Sequence, residues 1–526
     1  MKNWQKVLIL PLTIAIISFF LNNFFNQKCD CEVKNIENLP SNIPLNDDDY
    51  YDDEEEIEYS NIPQKLQEIR VKPKYWFHIY DNESYFTFDT VRTVLNYLDF
   101  DEIKMNLEPN GTFHFGWDIL WAYQYHDLQK LPIDWKQMKF YQKMNHIPGN
   151  HFLTSKMTFG LYTNSKYVPR AFTDINKLQA YAISHPDKLF VIKLKSNRGV
   201  ELKKVSEMIL TDESTLDGYF AQEFISNPLL FNGHKFDFGI YVLLTSVDPL
   251  RIYYYSKNMI FRFCSKTYNI SDPTDTDRYV VSDSKIPVWE FPGTKDYFEN
   301  GYNTRDAFDG FLKKIGANVD EIWDKIEDSI RSIIVSKEAF FIEWIKLAGT
   351  SKLNHFELFR FDMILDNNLN LHVIEVNQHP NIYPSKYFYR NKVLYENLLY
   401  NLFTLIGAGT NFRKFTIQLP NMDVEKMIAH PHSMTVRPEV CLTSFCQRSC
   451  SSVCNLCWKC LNSATKYDFL QSYREQMNSG DFKRIFPPEK NQMENFNELY
   501  GNLLSENSKL HVEWFKEMCK KNRYFC

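Results

Sequence analysis

Apolar and polar positions alternate most clearly from Phe359 to Asn377, where the chain reads FRFDMILDNNLNLHVIEVN. The pattern predicts two strands, Arg360–Leu365 and Leu371–Val376, joined by the polar turn Asp-Asn-Asn-Leu-Asn. Helical spacing takes over upstream. Val319, Ile322, Trp323, Ile326, Ile330, Ile333 and Ile334 form an apolar stripe within a helical region, 306–349. The run LFVIKL at 189–194 reads as a strand and is followed by a polar turn at 195–199. A connector (219–226) and several strands (236–263) come next, and a helix from about Asn391 to Ile406 stops at Gly407 and Gly409. Residues 71–165 mix short strands and helices around FHFGWDILWAYQYHDL, and no internal repeat is visible.

The longest apolar run is Val7–Phe25, preceded by Lys2 and Lys6. Its length suits a bilayer span, and flanking lysines stay cytosolic, so a type II signal anchor is expected with the body in the lumen. A cleaved signal peptide is the runner-up, and a cytosolic body would need the opposite orientation. Sequons at Asn82, Asn110 and Asn269 agree with a luminal body. So do cysteines at 29, 31, 441, 446, 450, 454, 457, 460, 519 and 526, which read as disulfides in an oxidising lumen, the odd total leaving one thiol over or paired between chains. Zinc at the compact Cys454, Cys457 and Cys460 is the competing reading. The run Asn46–Glu58 holds nine acids and no base; without it the net charge of −6 becomes +3. Its acidity is therefore local, and the segment reads as a solvated stem.

The strand pattern also places chemistry. Glu375 and Asn377 share a strand face, and Asp362 on the partner strand can meet them across the pair. Two carboxylates and an amide oxygen suit a hard cation such as Mg²⁺, whose remaining ligands are usually water and nucleotide phosphates. Cations accompany them. Lys193 ends an apolar strand, Lys235 and Asp237 share a face, and Arg262 ends a nearby strand. Polyphosphate transfer needs such a set, since charge must be neutralised while the groups are held in line. No Walker-type loop or Rossmann fingerprint is present, and Asn197-Arg-Gly199 is by itself a poor phosphate loop.

Several ordered blocks resemble the tubulin–tyrosine ligase-like enzymes, which have an ATP-grasp fold. YQKMNHIPGNHFLTSKM (141–157) is similar to the family's Asn-His and Leu-Thr segment, and LFVIKLKSNRGVEL (189–202) to its strand, lysine and Arg-Gly loop. AQEFISNPLLFNGHKFDFGIYVLLTSVDPLRIYYY (221–255) resembles its hinge-to-strand segment, and FRFDMIL with LHVIEVNQHPN (359–381) its metal motif. The resemblance implies that Lys156 and Lys193 contact ATP phosphates, under a lid holding Arg198 and Gly199. Gln222, Glu223, Phe224 and Ile225 would line the adenine, largely through backbone groups. Lys235, Asp237 and Arg262 would hold the ribose, phosphates and reaction centre, with Lys235 and Arg262 catalytic. Asp362, Glu375 and Asn377 would bind Mg²⁺. In this family a protein carboxylate becomes an acyl phosphate, and the amine of a free amino acid, commonly glutamate, then displaces phosphate.

Three departures accompany the match. Gly239 stands where the family has an arginine. The Leu-Thr-Asn segment implicated in amino-acid binding is replaced around Tyr279-Val-Val-Ser-Asp-Ser-Lys-Ile-Pro. Residues 406–526 hold sixteen Lys and Arg against twelve acids, with no strongly basic helical tract of the microtubule-binding kind. The expectation is an α/β (α+β) ATP-grasp enzyme with an N-terminal transmembrane anchor and a cysteine-rich C-terminal appendage. Its segments are a cytosolic tail (1–6), anchor (7–25), acidic disordered stem (26–70), catalytic domain (71–409) and cysteine-rich region (410–526). The expected activity is a polyglutamylase-type ligase using ATP and Mg²⁺, with glutamate and a protein carboxylate as partners and no nucleic acid. Tubulin is the acceptor by resemblance, although a luminal body argues against it. A luminal binding module that keeps an ATP site, or a luminal ligase with another acceptor, fits the same residues.

Overall fold

The computed structural model describes residues 72–78, 88–104, 116–131, 133–139, 141–194, 200–205, 219–271, 273–281, 286–385, 388–408, 430–489 and 499–526. The expected anchor at 7–25, the acidic stem, Cys29, Cys31, the sequons at Asn82 and Asn110, and Arg198 and Gly199 lie outside them. Among the described residues no helix is long and apolar enough to cross a membrane.

The described strands form three sheets in a mixed α/β fold. A small parallel sheet comprises β1 (Lys74–His78), β2 (Asp101–Glu102), β3 (Ile119–Ala122) and β4 (Lys143–Met144), in the order β2-β1-β3-β4. A second, antiparallel sheet comprises β5 (Ala171–Phe172), β6 (Leu189–Leu194), β7 (Val200–Lys204) and β8 (Tyr219–Glu223), in the order β5-β8-β6-β7. The stretch read as a connector at 219–226 thus begins as a strand.

The largest sheet is built around β10 (His234–Val247). Its other strands are β9 (Leu230–Phe231), β11 (Leu250–Tyr255), β12 (Ile260–Phe263), β13 (Glu357–Leu365), β14 (Leu371–Asn377) and β15 (Phe482–Phe486). The order is β14-β13-β10-β11-β15, with β9 and β12 also paired to β10. Alternation along β10 gives the sheet two apolar faces. Phe238, Ile240, Val242 and Leu244 pack in one cluster with Phe308, Phe311, Ile322, Ile326 and Ile330. The last five lie on the helices Thr304–Lys314 and Val319–Val335. The predicted stripe is therefore core, and truncating one of its isoleucines to Ala should cost about 2–5 kcal/mol. The opposite face, through Tyr241, Leu243 and Tyr253, clusters with Leu394, Leu398 and Leu402 of the helix Asn391–Leu405. That helix ends where the sequence places its stop, just before Gly407 at φ +84°.

The C-terminal region is built into this sheet. β15 pairs antiparallel with β11. Glu475, on the helix Ser463–Met477, receives bonds from Arg251 Nε (2.9 Å), Arg251 Nη2 (3.1 Å), Thr245 Oγ1 (2.8 Å) and Tyr253 Oη (3.1 Å). Eight cysteines pair as Cys441–Cys457, Cys446–Cys454, Cys450–Cys460 and Cys519–Cys526, which uses all three thiols of the zinc reading. Cys264 is a buried free thiol.

Candidate active site

Toward the N-terminal end of β10, residues on the Tyr241 face change from apolar to charged. Lys235, Asp237 and Gly239 alternate along β10, and neighbouring strands bring the rest alongside. Asp237 lies opposite Arg262 of β12, Gly239 opposite Asp362 of β13, and Asp362 opposite Glu375 of β14. Asn377 lies opposite Arg360. The hairpin expected at 359–377 is present with its strands extended to Glu357 and Asn377, and a register shift between Asp362 and Met363 sets Asp362 opposite Glu375 rather than Ile374.

A chain of alternating charges crosses these strands. Arg262 grips Asp237 in a fork (Nε–Oδ1 2.8 Å, Nη2–Oδ2 2.8 Å) and also donates from Nη2 to Asp362 Oδ2 at 3.0 Å. Arg360 forks onto Asp362 from the other side (Nε–Oδ1 2.6 Å, Nη2–Oδ2 2.8 Å). Such paired, charge-assisted bonds fix both position and charge. Burial alone would raise the Asp362 carboxyl, but Arg360 and Arg262 hold it below the usual carboxylate range. Asp237 moves up, because burial outweighs Arg262 and the Asp362 charge adds to the push.

The amide of Asn377 shows how the expected cation ligands converge. Its Nδ2 donates to Asp362 Oδ2 at 3.1 Å and to Glu375 Oε1 at 3.3 Å, so two carboxylates share one donor. A half-turn of that amide replaces nitrogen with oxygen, giving a three-oxygen set of the kind that suits Mg²⁺. The residues fit a hard cation that takes its other ligands from phosphate and water. Among the described residues no group of three or more His, Cys, Asp and Glu side chains could hold a metal by itself.

Three lysines border the carboxylates. Lys156 Nζ lies 3.4 Å from Glu375 Oε2. Ser155, whose hydroxyl accepts from Thr158 N, caps the helix Lys156–Tyr162 that carries it. Lys193, on β6, donates to Gln222 Oε1 of β8 at 2.7 Å. Burial pulls the Lys193 ammonium down to about 8; Glu375 opposes the shift, and Lys156 and Lys235 add to it. Lys235 donates to the Tyr279 carbonyl at 2.9 Å and lies 4.7 Å over the Phe224 ring. Burial also lowers its pKa, against the pull of Cys264 and Asp237.

The structure thus brings together Lys156, Lys193, Gln222, Phe224, Lys235, Asp237, Arg262, Asp362, Glu375 and Asn377. Ile225 is buried beside Phe224. Glu223 is the exception: its carboxylate turns to Lys188 and the Tyr181 hydroxyl. The N–H groups of Glu223 and Phe224 pair with the carbonyls of Arg170 and Leu189. Sequence reasoning missed Arg360, although its place two residues before Asp362 on one strand face was a usable signal. It also missed Tyr279, whose role depends on a loop contact that no local pattern encodes.

The Asn-His segment braces the site from behind. Asn145 bonds both backbone groups of Ala122, N to Oδ1 at 2.8 Å and Nδ2 to O at 2.9 Å. Glu357, at the start of β13, is fully buried and meets His146 Nδ1 (2.8 Å), Ile147 N (2.8 Å) and Asn150 Nδ2 (3.0 Å). Lys156 therefore follows a segment tied to the strand that carries Asp362.

Comparison with known proteins agrees with this geometry. Residues 128–414 match the model of the tubulin-tyrosine ligase family. Over 422 residues, 78% of its length, the chain is 31% identical to a probable tubulin polyglutamylase of Caenorhabditis elegans, 79% of which is covered. It is 25% identical to a mouse tubulin polyglutamylase over 61% of this chain and 40% of that protein. A mouse tubulin monoglutamylase is 27% identical over 47% of this chain and 22% of its own length.

Proposed function

Because the chain belongs to the tubulin-tyrosine ligase family, we propose that it is an ATP- and Mg²⁺-dependent ligase of ATP-grasp architecture that joins glutamate to a protein carboxylate. The observation that carries this reading is the convergence of Asp362, Glu375 and Asn377 beside Lys156, Lys193, Lys235 and Arg262. Oxygen ligands for a cation adjoin nitrogen cations for phosphate, all but Lys156 on paired strands that resist displacement.

In the proposed reaction a carboxylate oxygen of the acceptor protein bonds to the γ-phosphorus of ATP as the bond to the β,γ-bridging oxygen breaks. ADP leaves, and the acceptor becomes an acyl phosphate. The glutamate amine then attacks the acyl carbon, inorganic phosphate departs, and the amine's surplus proton is lost to solvent. Lys156 and Lys193 hold phosphate oxygens, and Gln222 orients Lys193. Arg262, fixed by Asp237, and Lys235 sit where charge changes hands. Asp362, Glu375 and Asn377 hold Mg²⁺, which neutralises phosphate charge and keeps the transferring group in line. Arg198 and Gly199 are proposed for the lid, and Gln222, Glu223, Phe224 and Ile225 for the adenine. Catalysis rests on positioning and electrostatics rather than on an enzyme nucleophile.

We also propose that Val7–Phe25 anchors the chain, with an acidic stem at 26–70 and the body in the lumen. The acceptor would then be a protein of the secretory pathway, and tubulin becomes the acceptor if the body faces the cytosol. Four cysteine pairs support the oxidising compartment. The test is incubation of the full-length chain with ATP, Mg²⁺, labelled glutamate and either tubulin or a luminal protein extract. Label incorporation matched by ADP release is expected. ATP binding with neither product would replace the ligase with a binding module.

A further inference from the structure

Gly239 has an ordinary negative φ, so the backbone does not require glycine there. Space does. A Cβ at position 239 would lie 2.8 Å from Arg360 Cδ, 3.2 Å from Arg360 Cγ and 3.0 Å from Asp362 Oδ1. The Arg360 stem therefore crosses the sheet through the volume that any side chain at 239 would fill. In the nucleotide-free chain both of its ends are placed: its backbone lies between β10 and β14, and its guanidinium forks onto Asp362.

The result is an Asp362 carboxylate crowded on one oxygen: Oδ2 accepts from Arg360, Arg262 and Asn377, while Oδ1 accepts from Arg360. A carboxylate offers about four lone-pair sites shared evenly by its two oxygens, so the two arginines fill Oδ2 even when the Asn377 amide turns. A cation can take Oδ2, the oxygen beside Asn377, only if an arginine leaves it. Arg262 is already committed to Asp237 by two bonds and Asn377 can turn in place, which makes Arg360 the donor with most to exchange.

Resting on the ligase reading above, we propose that Arg360 is a positioning residue of the reaction centre for which Gly239 makes room. In the nucleotide-free chain it occupies Asp362 in competition with the cation. Once Asp362 is taken, its guanidinium faces the transferred phosphoryl group. This restores from β13 the positive charge that Gly239 cannot supply from β10.

The test compares the full-length wild-type chain with Arg360→Gln. Mn²⁺ alone is titrated by electron paramagnetic resonance without nucleotide, and ATP turnover is measured at saturating Mg²⁺. Removing the competitor should tighten Mn²⁺ binding by about tenfold or more, while turnover falls by about a hundredfold for loss of one charged donor. A folding defect lowers both, so the opposite signs separate a local role from a structural one. Mn²⁺ affinity within about twofold of wild type, or weaker, or wild-type turnover in the variant, overturns the proposal. If Arg360→Gln does not fold, the exchange of Gly239→Arg with Arg360→Gly is read instead. Turnover above that of Gly239→Arg alone supports the proposal, and no gain overturns it. If the wild-type chain turns over no ATP with any acceptor, the ligase reading fails and the Mn²⁺ titration alone decides the role of Arg360.

Discussion

Raising the pH should release nucleotide through Lys193. Its ammonium is pulled down to about 8 from an ordinary 10.5, mainly by burial. The folded pKa lies below the unfolded one, so the fold disfavours the charged form. That penalty is fully present below about pH 8 and is relieved as the pH climbs toward the ordinary value. Polyphosphate beside Nζ restores the charge, so binding takes up a proton wherever the free site has lost one. A pKa of about 8 leaves roughly nine-tenths of free sites charged at about pH 7 and roughly one-tenth at about pH 9. Affinity for ATP should therefore fall about tenfold across that window, where the phosphates, with a second pKa of about 6, no longer titrate. The assay is isothermal titration of the full-length chain with Mg²⁺ and ATP in two buffers of different protonation heat, with Lys193→Met alongside. Lys235 is shifted in the same direction, so the variant should keep a shallower slope. A flat wild-type profile, or an equally steep one in Lys193→Met, refutes the reasoning.

Three further outcomes follow from buried contacts. Glu357→Ala strands His146, the Ile147 N–H and Asn150 in the interior and should cost about 3–5 kcal/mol in chemical denaturation; a loss below about 1 kcal/mol contradicts the bracing role. Glu475→Ala leaves Arg251 buried without its carboxylate partner and should cost a similar ~3–5 kcal/mol, read as early loss of hydrogen-exchange protection in β11 and β15. Reduction of the disulfides should expose amides from Cys441 to Cys460, where three cross-links close short loops, while β10 and β13 stay protected; loss of protection throughout contradicts a local staple.

The site was legible where chemistry follows a strand's period of two. Period two puts Glu375 and Asn377 on one face, but Asp362 meets them only through the register shift between Asp362 and Met363, which keeps Phe361, Met363, Leu371, Val373 and Val376 together in the core. Lys235 and Asp237 followed from the same rule, and Arg262 was read as ending a nearby strand, which the pairing of β12 with β10 sets opposite Asp237. What stayed hidden depends on partners distant in sequence. Strands of two to five residues, such as β2 and β4, carry no periodicity of their own, so the parallel sheet near the N-terminus could not be read. FKRIF at 482–486 looks like part of a cysteine-rich tail until β11 pairs with it. The gap at Gly239 was visible as a missing arginine, but only the register of β10 against β13 shows Arg360 crossing it.

The central claim is a Mg²⁺–ATP site at Asp362, Glu375 and Asn377. Thermal unfolding of the wild-type chain and of Glu375→Gln, with and without Mg²⁺ and ATP, tests it most directly. At a ligand concentration of about 100 times Kd the wild-type fold should gain about 2.7 kcal/mol, and only when Mg²⁺ is present. Glu375→Gln should lose most of that gain while melting normally without nucleotide. Equal stabilisation of both chains, or stabilisation indifferent to Mg²⁺, would place the cation elsewhere and contradict the account.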